Sequence, residues 1–449
     1  MVFLCFCALG CADLPQLPDG ILHWGSGAPR VRTGSTELSP ERSAAVLRAQ
    51  DKPGEPTLLA RHLATMREIT PKPWVTGNRA RLLADGPATY RAIFRAIADA
   101  RESVNVETYI LESDEIGQKL SQLLIERESR GVQVNLLYDA VGSMETSDAF
   151  FSRLRDAGVA VCEFNPLLPS RGRISDPNQR DHRKQVIVDG RVAISGGINF
   201  SSVYSSGSAV HIRENAPSLK SGWRDTNVEL RGPAVAQNQR LFLESWKKQG
   251  CPPLDEARYL PKLASIGDRV VGVVGSTADD DRRLMYLALL SAIRESRQSV
   301  YVTMAYFVPD PELRQALADA ARRGVDVHLI LPGFSDSWVV LEAGRSYYAE
   351  LLAAGVHISE LRGALLHAKT AVIDDVWSTV GSTNFDWRSL LYNDELNTIV
   401  LGEDFGSEAT AMFEKDLQET TLIDPERWDD RGLTPRLKES VASLISRWL

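Results

Sequence analysis

The stretch His182–Asp189, HRKQVIVD, recurs in the second half of the chain as His367–Asp374, HAKTAVID. Both copies have the form H-x-K-x-x-x-x-D, and a turn of small residues ending in asparagine follows each, at 196–199 and at 381–384. One copy would be weak evidence, because His and Lys two apart on a strand are common. Two copies inside an internal repeat predict two half-sites that face one substrate.

The sequence around the two motifs repeats a strand–helix order. In the first half, strand-like 103–109 and 131–138 alternate with helix-like 117–130 and 150–156; in the second half, 299–304 and 324–330 alternate with 312–322 and 347–354. This pattern predicts an α/β fold with two similar sandwich halves. A pseudo-two-fold axis between them would place both motifs in one central cleft. We expect a leader at 1–77, a first half at 78–255 and a second half at 256–449.

Composition restricts the class of protein. The 449 residues are 43% hydrophobic and 24% charged, as in a soluble globular protein with room for two or three domains. The net charge of −8 argues against a dedicated nucleic-acid binder. Three cysteines lie in the first eleven residues, and Cys162 and Cys251 lie in the body. We expect neither a disulfide framework nor a cysteine metal site from them.

The N-terminal segment has features of a leader. Eight of the 22 prolines lie between residues 12 and 77, which predicts loose structure with one helical piece at 60–69. The apolar run Val2–Leu9 is far shorter than the ~20 residues of a spanning helix. Leu9-Gly10-Cys11 is similar to a lipoprotein attachment site, although no Lys or Arg precedes the run. Lipidation of Cys11 and a simple frayed terminus are both open.

The repeated motif has the side chains that phosphodiester exchange requires. Residues two apart on a strand share a face, so His182 lies with Lys184, and His367 with Lys369. One neutral imidazole can attack phosphorus to form a phosphohistidine, while the other protonates the leaving alkoxide and then activates the incoming alcohol. The two lysines, with Asn199 and Asn384, can bind the non-bridging phosphate oxygens. No metal or cofactor is expected.

Four carboxylates are further site candidates. Asp189 and Asp374 complete the two motifs, but their positions near turns suit them better to holding those turns than to chemistry. Asp225 and Glu395 follow the two asparagine turns at similar distances. A carboxylate on the far nitrogen of a catalytic histidine fixes its tautomer, so we expect these two to orient the histidines.

The other five histidines are expected to be ordinary surface or core residues. They lack the lysine and asparagine that accompany the motif pair. They are His23, His62, His211, His328 and His357.

Over residues 78–449 the chain resembles the phospholipase D superfamily, most closely the bacterial cardiolipin synthases that lack N-terminal transmembrane helices. The marks beyond the double motif are Arg180–Lys184, Trp223–Thr226, Gly232–Val235, Ala305–Asp310, Leu366–Thr370 and Gly381–Ser389. The resemblance implies transfer of a phosphatidyl group onto phosphatidylglycerol to give cardiolipin. Family precedent implies that His182 is the nucleophile and His367 the acid/base. It also implies phospholipid partners, with phosphatidylglycerol as the substrate and phosphatidylethanolamine as a further candidate. The same resemblance implies a membrane-associated protein that is held peripherally or through Cys11.

Other readings are open. If water replaced the lipid alcohol as acceptor, the enzyme would be a phospholipase D. A nuclease of the same superfamily would require a more basic chain. The third alternative is an inactive membrane scaffold, and the intact motifs in both halves argue against it. The C-terminus has an apolar stripe at helical spacing that is either membrane-facing or packed on its own domain, with packing favoured. Its residues are Leu437, Val441, Leu444, Ile445, Trp448 and Leu449. Trp338 is a second candidate for lipid contact.

Overall fold

In a computed structural model the described residues are 14–15, 29–51, 58–70, 72–166, 178–205, 222–280 and 282–444. Several residues of the sequence analysis lie outside them: Val2–Leu9, Cys11, His23, His211, Ile445, Trp448 and Leu449. The strands are β1 Val31–Thr33, β2 Thr36–Glu37, β3 Trp74–Leu83, β4 Ser103–Thr108, β5 Gln133–Asp139, β6 Ala160–Phe164, β7 Arg180–Asp181, β8 Gln185–Val188, β9 Val192–Gly196, β10 Trp223–Arg224, β11 Asn227–Arg231, β12 Arg269–Ser276, β13 Ser299–Met304, β14 Asp326–Pro332, β15 His357–Leu361, β16 Leu365–Leu366, β17 Lys369–Ile373, β18 Trp377–Gly381, β19 Asn393–Leu401 and β20 Thr420–Leu422. The helices are α1 Pro40–Arg48, α2 Leu58–Ile69, α3 Gly86–Ala98, α4 Glu115–Ser129, α5 Asp148–Asp156, α6 Val235–Lys248, α7 Glu256–Tyr259, α8 Leu284–Glu295, α9 Pro311–Arg322, α10 Trp338–Arg345, α11 Tyr348–Ala353, α12 Trp387–Leu391, α13 Glu403–Leu417, α14 Pro425–Asp429 and α15 Leu433–Leu444.

The two halves contain the same sheet. Hydrogen bonding orders the first as β3-β11-β9-β8-β4-β5-β6 and the second as β12-β19-β18-β17-β13-β14-β15. In the first sheet the motif strand β8 lies between β9 and β4 and is antiparallel to both. In the second sheet the motif strand β17 lies in the same way between β18 and β13. The predicted α/β duplication is confirmed, and it places the two motifs at equivalent positions.

The sheets are joined into one structure. β3 and β12 pair antiparallel at the sheet edges, with Val75 opposite Val271. A core cluster contains apolar side chains from both sheets, among them Ile187, Val228 and Val380, all 2% exposed or less. This burial removes a wide apolar area from water and fixes the halves against each other.

Two short strand pairs cross between the halves and position the site. β7 lies parallel to the start of β19, and the His182 amide donates to the Asp394 carbonyl at 2.9 Å. β10 lies parallel to β16, and the His367 amide donates to the Arg224 carbonyl at 2.8 Å. Each motif histidine is therefore bonded through its backbone to the residue preceding a candidate carboxylate of the other half.

Asp189 and Asp374 hold turns at the opposite ends of the motif strands from the His–Lys pairs. Asp189 has φ +54° and accepts the backbone N–H groups of 101–103 at 2.7–3.2 Å. Asp374 has φ +52° and accepts those of 297–299 at 2.8–3.2 Å. Because both carboxylates satisfy N–H groups at the starts of β4 and β13, we assign them a structural role and remove them from the catalytic candidates.

Residues 29–51, 58–70 and 72–77 contain two helices and part of the sheet, which is more regular structure than the proline content of the segment predicts. β1 pairs with β3, and α2 packs on α8, where Arg61 donates to the Glu295 backbone carbonyl at 2.7 Å. Leu59 and Leu63 of α2 are 1% exposed in the core of the second half. Pro40 begins α1 at the first turn, where a missing N–H is tolerated. These described apolar side chains pack in the core of the second half.

Cys162 and Cys251 form a disulfide, which corrects the expectation that the cysteines would not pair. Their Cα atoms are 5.7 Å apart and 89 residues separate them in sequence. The fold brings the edge strand β6 beside the residues that follow α6. Spacing along the chain could not indicate this contact, because it depends on tertiary packing.

Candidate active site

His182 is held by a carboxylate from the other half. Its Nδ1 lies 3.0 and 3.1 Å from the two oxygens of Glu395, which is fully buried on β19. The hydroxyl of Ser382 donates to one of those oxygens. A proton on Nδ1 facing the carboxylate leaves Nε2 with its lone pair, which is the form required of a nucleophile or base.

His367 has the reciprocal partner. Its Nδ1 lies 2.6 Å from Oδ2 of Asp225, and the other carboxylate oxygen accepts the Thr226 N–H at 2.7 Å. The Tyr204 hydroxyl lies 3.3 Å from the same Nδ1. The sequence indicated both carboxylates but left their partners open; the structure pairs each with the histidine of the other half. We call this the crosswise arrangement.

Asp225 and Glu395 occupy equivalent register positions. Asn227 is opposite Gly196 in the first sheet, and Asn397 is opposite Gly381 in the second. Each carboxylate lies two residues before the asparagine of this pair. Their environments differ because Gly197 stands where the second half has Ser382. A Cβ at position 197 would lie 2.2 Å from an Asp225 oxygen. A serine at position 197 would therefore collide with the carboxylate of Asp225.

Lys184 and Lys369 are buried beside their histidines. Lys184 Nζ donates to the His182 carbonyl at 2.5 Å, and Lys369 Nζ donates to the His367 carbonyl. Burial lowers the pKa of Lys184 to about 7 and that of Lys369 to about 8, against the opposing attraction of nearby carboxylates that include Glu395. A bound phosphate would stabilise both ammonium groups, so these lysines are suited to bind an anion.

The asparagines are held at the ends of their turns. Asn199 donates to the Tyr204 hydroxyl at 3.2 Å, and its oxygen accepts the Ile110 N–H at 3.0 Å. Asn384 donates to the Ser389 hydroxyl at 3.4 Å, and its buried oxygen has no hydrogen-bond partner among the described residues. Each amide is thus oriented by a hydroxyl five residues further along the chain.

The electrostatic environment favours the neutral form of His182 more strongly than that of His367. Burial is the largest cause that lowers the pKa of His182 well below its usual range, and the Lys184 charge adds to it. Burial and then Lys369 lower the pKa of His367, while the hydrogen bond and charge of Asp225 oppose them. Burial raises the pKa of Glu395 to about 7, against the attraction of Lys184. His367 therefore has the stronger support for accepting a proton.

Aromatic rings form the walls of the site, and sequence reasoning did not identify most of them. The Tyr109 ring lies 5.2 Å from the His182 ring; Trp223, Tyr204 and Tyr306 lie 5.2, 5.9 and 6.3 Å from the His367 ring. One signal was available, because Tyr204 and Ser389 stand at the same offset from their asparagines. Its meaning required the contacts in three dimensions.

The described histidines outside the motifs lie in packing positions. His62 is buried with Nδ1 3.1 Å from the Ser291 hydroxyl, and His328 Nε2 lies 2.9 Å from the Ser359 hydroxyl, with the His357 ring beside it. No group of three or more His, Cys, Asp or Glu suited to a metal occurs among the described residues. No helix in the described part of the chain is long and apolar enough to cross a bilayer.

Comparisons with known proteins identify the family of the chain. A family model described as "Cardiolipin synthase, PLD-like domain" matches residues 93–216 and 289–417. A cardiolipin synthase of Geobacillus sp. (strain WCH70) is 34% identical over 387 residues, which are 86% of this chain and 75% of that protein. Cardiolipin synthase A of Pseudomonas aeruginosa is 36% identical over 389 residues, covering 86% and 76%.

Solved structures show the same fold at lower identity. Phosphatidylserine synthase of Haemophilus influenzae Rd KW20 superposes with a TM-score of 0.61 at 13% identity, over 82% of this chain and 95% of that one. A polyphosphate kinase of Porphyromonas gingivalis reaches 0.51 at 13% identity, over 86% and 55%. The duplicated model match and the extent of the sequence relatives show that the chain belongs to the cardiolipin synthase family of phospholipase D-like proteins.

Proposed function

We propose that the protein is a phosphatidyltransferase that forms cardiolipin from phosphatidylglycerol through a phosphohistidine intermediate. The observation that carries the proposal is the crosswise arrangement in a chain of this family: two buried histidines, each with its Nδ1 on a carboxylate. A single such histidine could act as the nucleophile or as the acid and base, but not as both in one step. Two of them support a nucleophile together with a separate acid and base.

His182 is the proposed nucleophile. Its Nε2 attacks the phosphorus of one phosphatidylglycerol, and the bond from phosphorus to the glycerol headgroup oxygen breaks. His367, protonated at Nε2 and supported by Asp225, gives its proton to the departing oxygen and releases glycerol. His367 suits this role because Asp225 opposes the lowering of its pKa through both a hydrogen bond and its charge.

The second half-reaction reverses the roles. His367, now neutral, accepts the proton of a hydroxyl on a second phosphatidylglycerol, and that oxygen attacks phosphorus. The bond to His182 Nε2 breaks, and cardiolipin leaves. Lys184, Lys369 and the two asparagine amides donate to the non-bridging oxygens in both steps. Two phosphatidylglycerols thus yield one cardiolipin and one glycerol, without a redox partner.

The partners that follow from this proposal are phospholipids at a membrane surface. Phosphatidylglycerol is the acceptor and a donor, and phosphatidylethanolamine is a further candidate donor. The protein would act as a peripheral membrane enzyme, with Cys11 as a candidate lipid anchor. Membership of a family that acts on phospholipids supports these assignments.

Lipid mass spectrometry of purified protein with phosphatidylglycerol vesicles tests the proposal. Wild type should form cardiolipin and free glycerol, with and without added phosphatidylethanolamine, and His182→Ala and His367→Ala should form neither. His357→Ala is the matched control, because that histidine is exposed on β15 outside the site. Phosphatidic acid without cardiolipin would make the enzyme a phospholipase D and refute the transferase.

A further inference from the structure

Exposed hydrophobic side chains border the active site on both sides. Met144 is 65% exposed in the loop after β5, and Trp338 is 61% exposed at the start of α10, after β14. β5 and β14 are equivalent strands, each parallel to the strand that pairs with a motif strand. Loops after parallel neighbours lie at one edge of a sheet, so these loops share an edge with Tyr109 and Tyr306, which follow β4 and β13.

Hydrogen bonds connect both loops to the walls of the site. The Ser143 hydroxyl donates to the Tyr109 carbonyl at 3.1 Å, and the Tyr109 ring contacts His182. The Tyr306 hydroxyl donates to Asp336 at 2.8 Å, and the Tyr306 ring faces His367. Met144 and Trp338 are thus one and two residues from groups that hold the tyrosines of the two half-sites.

The C-terminal helix extends this apolar surface beside Trp338. α15 packs on α10 through Ala442, which lies with Val308 and Ala343 in a small core cluster. Leu433, Leu437, Val441 and Leu444 recur at helical spacing and are 52–85% exposed. The helix does pack on its own domain, but Leu437, Val441 and Leu444 of the stripe noted in the sequence are exposed. We call these four residues, with Met144 and Trp338, the apolar rim.

We propose that the apolar rim docks on the surface of a phospholipid bilayer, so that the site between the two histidines opens onto the headgroups. This inference rests on the proposed function, because acyl chains of a substrate must remain in an apolar medium while the phosphodiester reaches His182. Of the large hydrophobic side chains exposed in the described residues, only Ile266 and Leu422 lie outside the rim. Such concentration marks an interaction surface.

The chemistry of the rim favours a bilayer as its occupant. Its aromatic residue, Trp338, is a type that is enriched at membrane–water interfaces. Arg436 and Lys438 are exposed on the same helix as the stripe, where they would meet anionic headgroups. A second copy of the chain would bury the rim and cover the site entrance, which a lipid enzyme must keep open.

Flotation with phosphatidylglycerol vesicles tests the rim. A variant that combines Met144→Ser, Trp338→Ser, Leu437→Ser and Val441→Ser should bind vesicles about 10-fold or more weakly than wild type. Its cardiolipin formation in vesicles should fall in proportion, while turnover of monomeric dihexanoyl-phosphatidylglycerol stays within about 2-fold. Leu422→Ser is the matched control, since Leu422 is 58% exposed on β20 outside the rim.

The outcomes separate the rim from the proposed function. Vesicle binding equal to wild type, or an equal loss in Leu422→Ser, overturns the rim. Loss of a wild-type dimer with unchanged vesicle binding overturns it in favour of self-association. If wild type makes no cardiolipin from either substrate, the proposed function fails, yet flotation still decides the rim. Trp338→Ser alone provides the same comparison if the fourfold variant does not fold.

Discussion

Glu395→Gln should separate the charge of this residue from its shape. When His182 Nε2 bonds to phosphorus, the buried imidazole ring becomes cationic, and Glu395 at 3.0–3.1 Å is the group that compensates the charge. Glutamine has nearly the same size and its oxygen still accepts from Nδ1. The substitution therefore removes the negative charge while it keeps the ring in place.

The size of the effect follows from the distance. Two unit charges about 4 Å apart attract by about 4 kcal/mol at an effective dielectric constant near 20. The retained neutral hydrogen bond contributes about 1 kcal/mol. The net loss is about 3 kcal/mol in the barrier to phosphohistidine formation, which corresponds to about 10²-fold in rate.

The pH dependence gives a second test of the same reasoning. Burial raises the pKa of Glu395 to about 7, so wild type itself loses the negative charge as the pH falls below 7. The difference between wild type and Glu395→Gln should therefore be largest near pH 8 and should narrow at pH 6. A purely structural role of Glu395 would give no such convergence.

The assay is quenched-flow trapping of the phosphatidyl-enzyme with dihexanoyl-phosphatidylglycerol, followed by mass spectrometry of the His182 peptide. Glu360→Gln is the matched control, because Glu360 accepts from Arg345 at 2.9 Å outside the site. A trapping rate for Glu395→Gln within about 3-fold of wild type at pH 8 would refute the argument, since that corresponds to under about 1 kcal/mol. Equal losses at pH 6 and pH 8 would refute it as well.

Three further predictions concern other parts of the site and fold. Tyr204→Phe removes the hydroxyl near His367 Nδ1, so we expect about 10-fold slower cardiolipin formation with little change in substrate affinity, measured as kcat and KM. Lys184→Met should raise the free energy of unfolding by a few kcal/mol at pH 6, because the pKa of Lys184 is about 7 in the folded state, below its unfolded value, and burying the charged amine destabilises wild type. This destabilisation fades as the pH rises toward 10. Urea titrations of both proteins at pH 6 and 9 check this, and a stability difference between variant and wild type that grows with pH would contradict it. Cys162→Ser should lower the free energy of unfolding by about 2–4 kcal/mol, because it removes the disulfide to Cys251. Reduction of wild type should lower it by the same amount. An unchanged free energy of unfolding after reduction would mean that the two cysteines are unpaired.

The sequence predicted the parts of the fold and site that repeat. His182 and His367 share a register position in their sheets, and small-residue turns end in an asparagine beside each, because a duplication preserves strand order and motif together. Asp225 and Glu395 could be found in the same way, from their parallel placement. Which histidine each carboxylate contacts could not be predicted, because it depends on the pairing of β7 with β19 and of β10 with β16. Each of these pairings involves only two residues of either strand.

Features without a repeated counterpart were missed for a physical reason. The disulfide joins two elements that are adjacent only after the sheet forms. The helical piece expected at 60–69 is found as α2, but its apolar contacts with the second half could not be predicted from the sequence. Tyr204 contacts a histidine 163 residues away in sequence. Local spacing contains no information about any of these contacts.

The crosswise arrangement makes the two halves chemically interdependent. In the first half, His182 and Lys184 share a buried site, but the carboxylate that sets the histidine tautomer comes from the second half, and His367 depends on the first half in the same way. An isolated half would bury an imidazole and a lysine without Glu395 or Asp225 to offset the cost. Removing one carboxylate should therefore impair one histidine directly and leave the other paired. The nucleophile and the acid/base can consequently be weakened separately, although neither half contains a complete site.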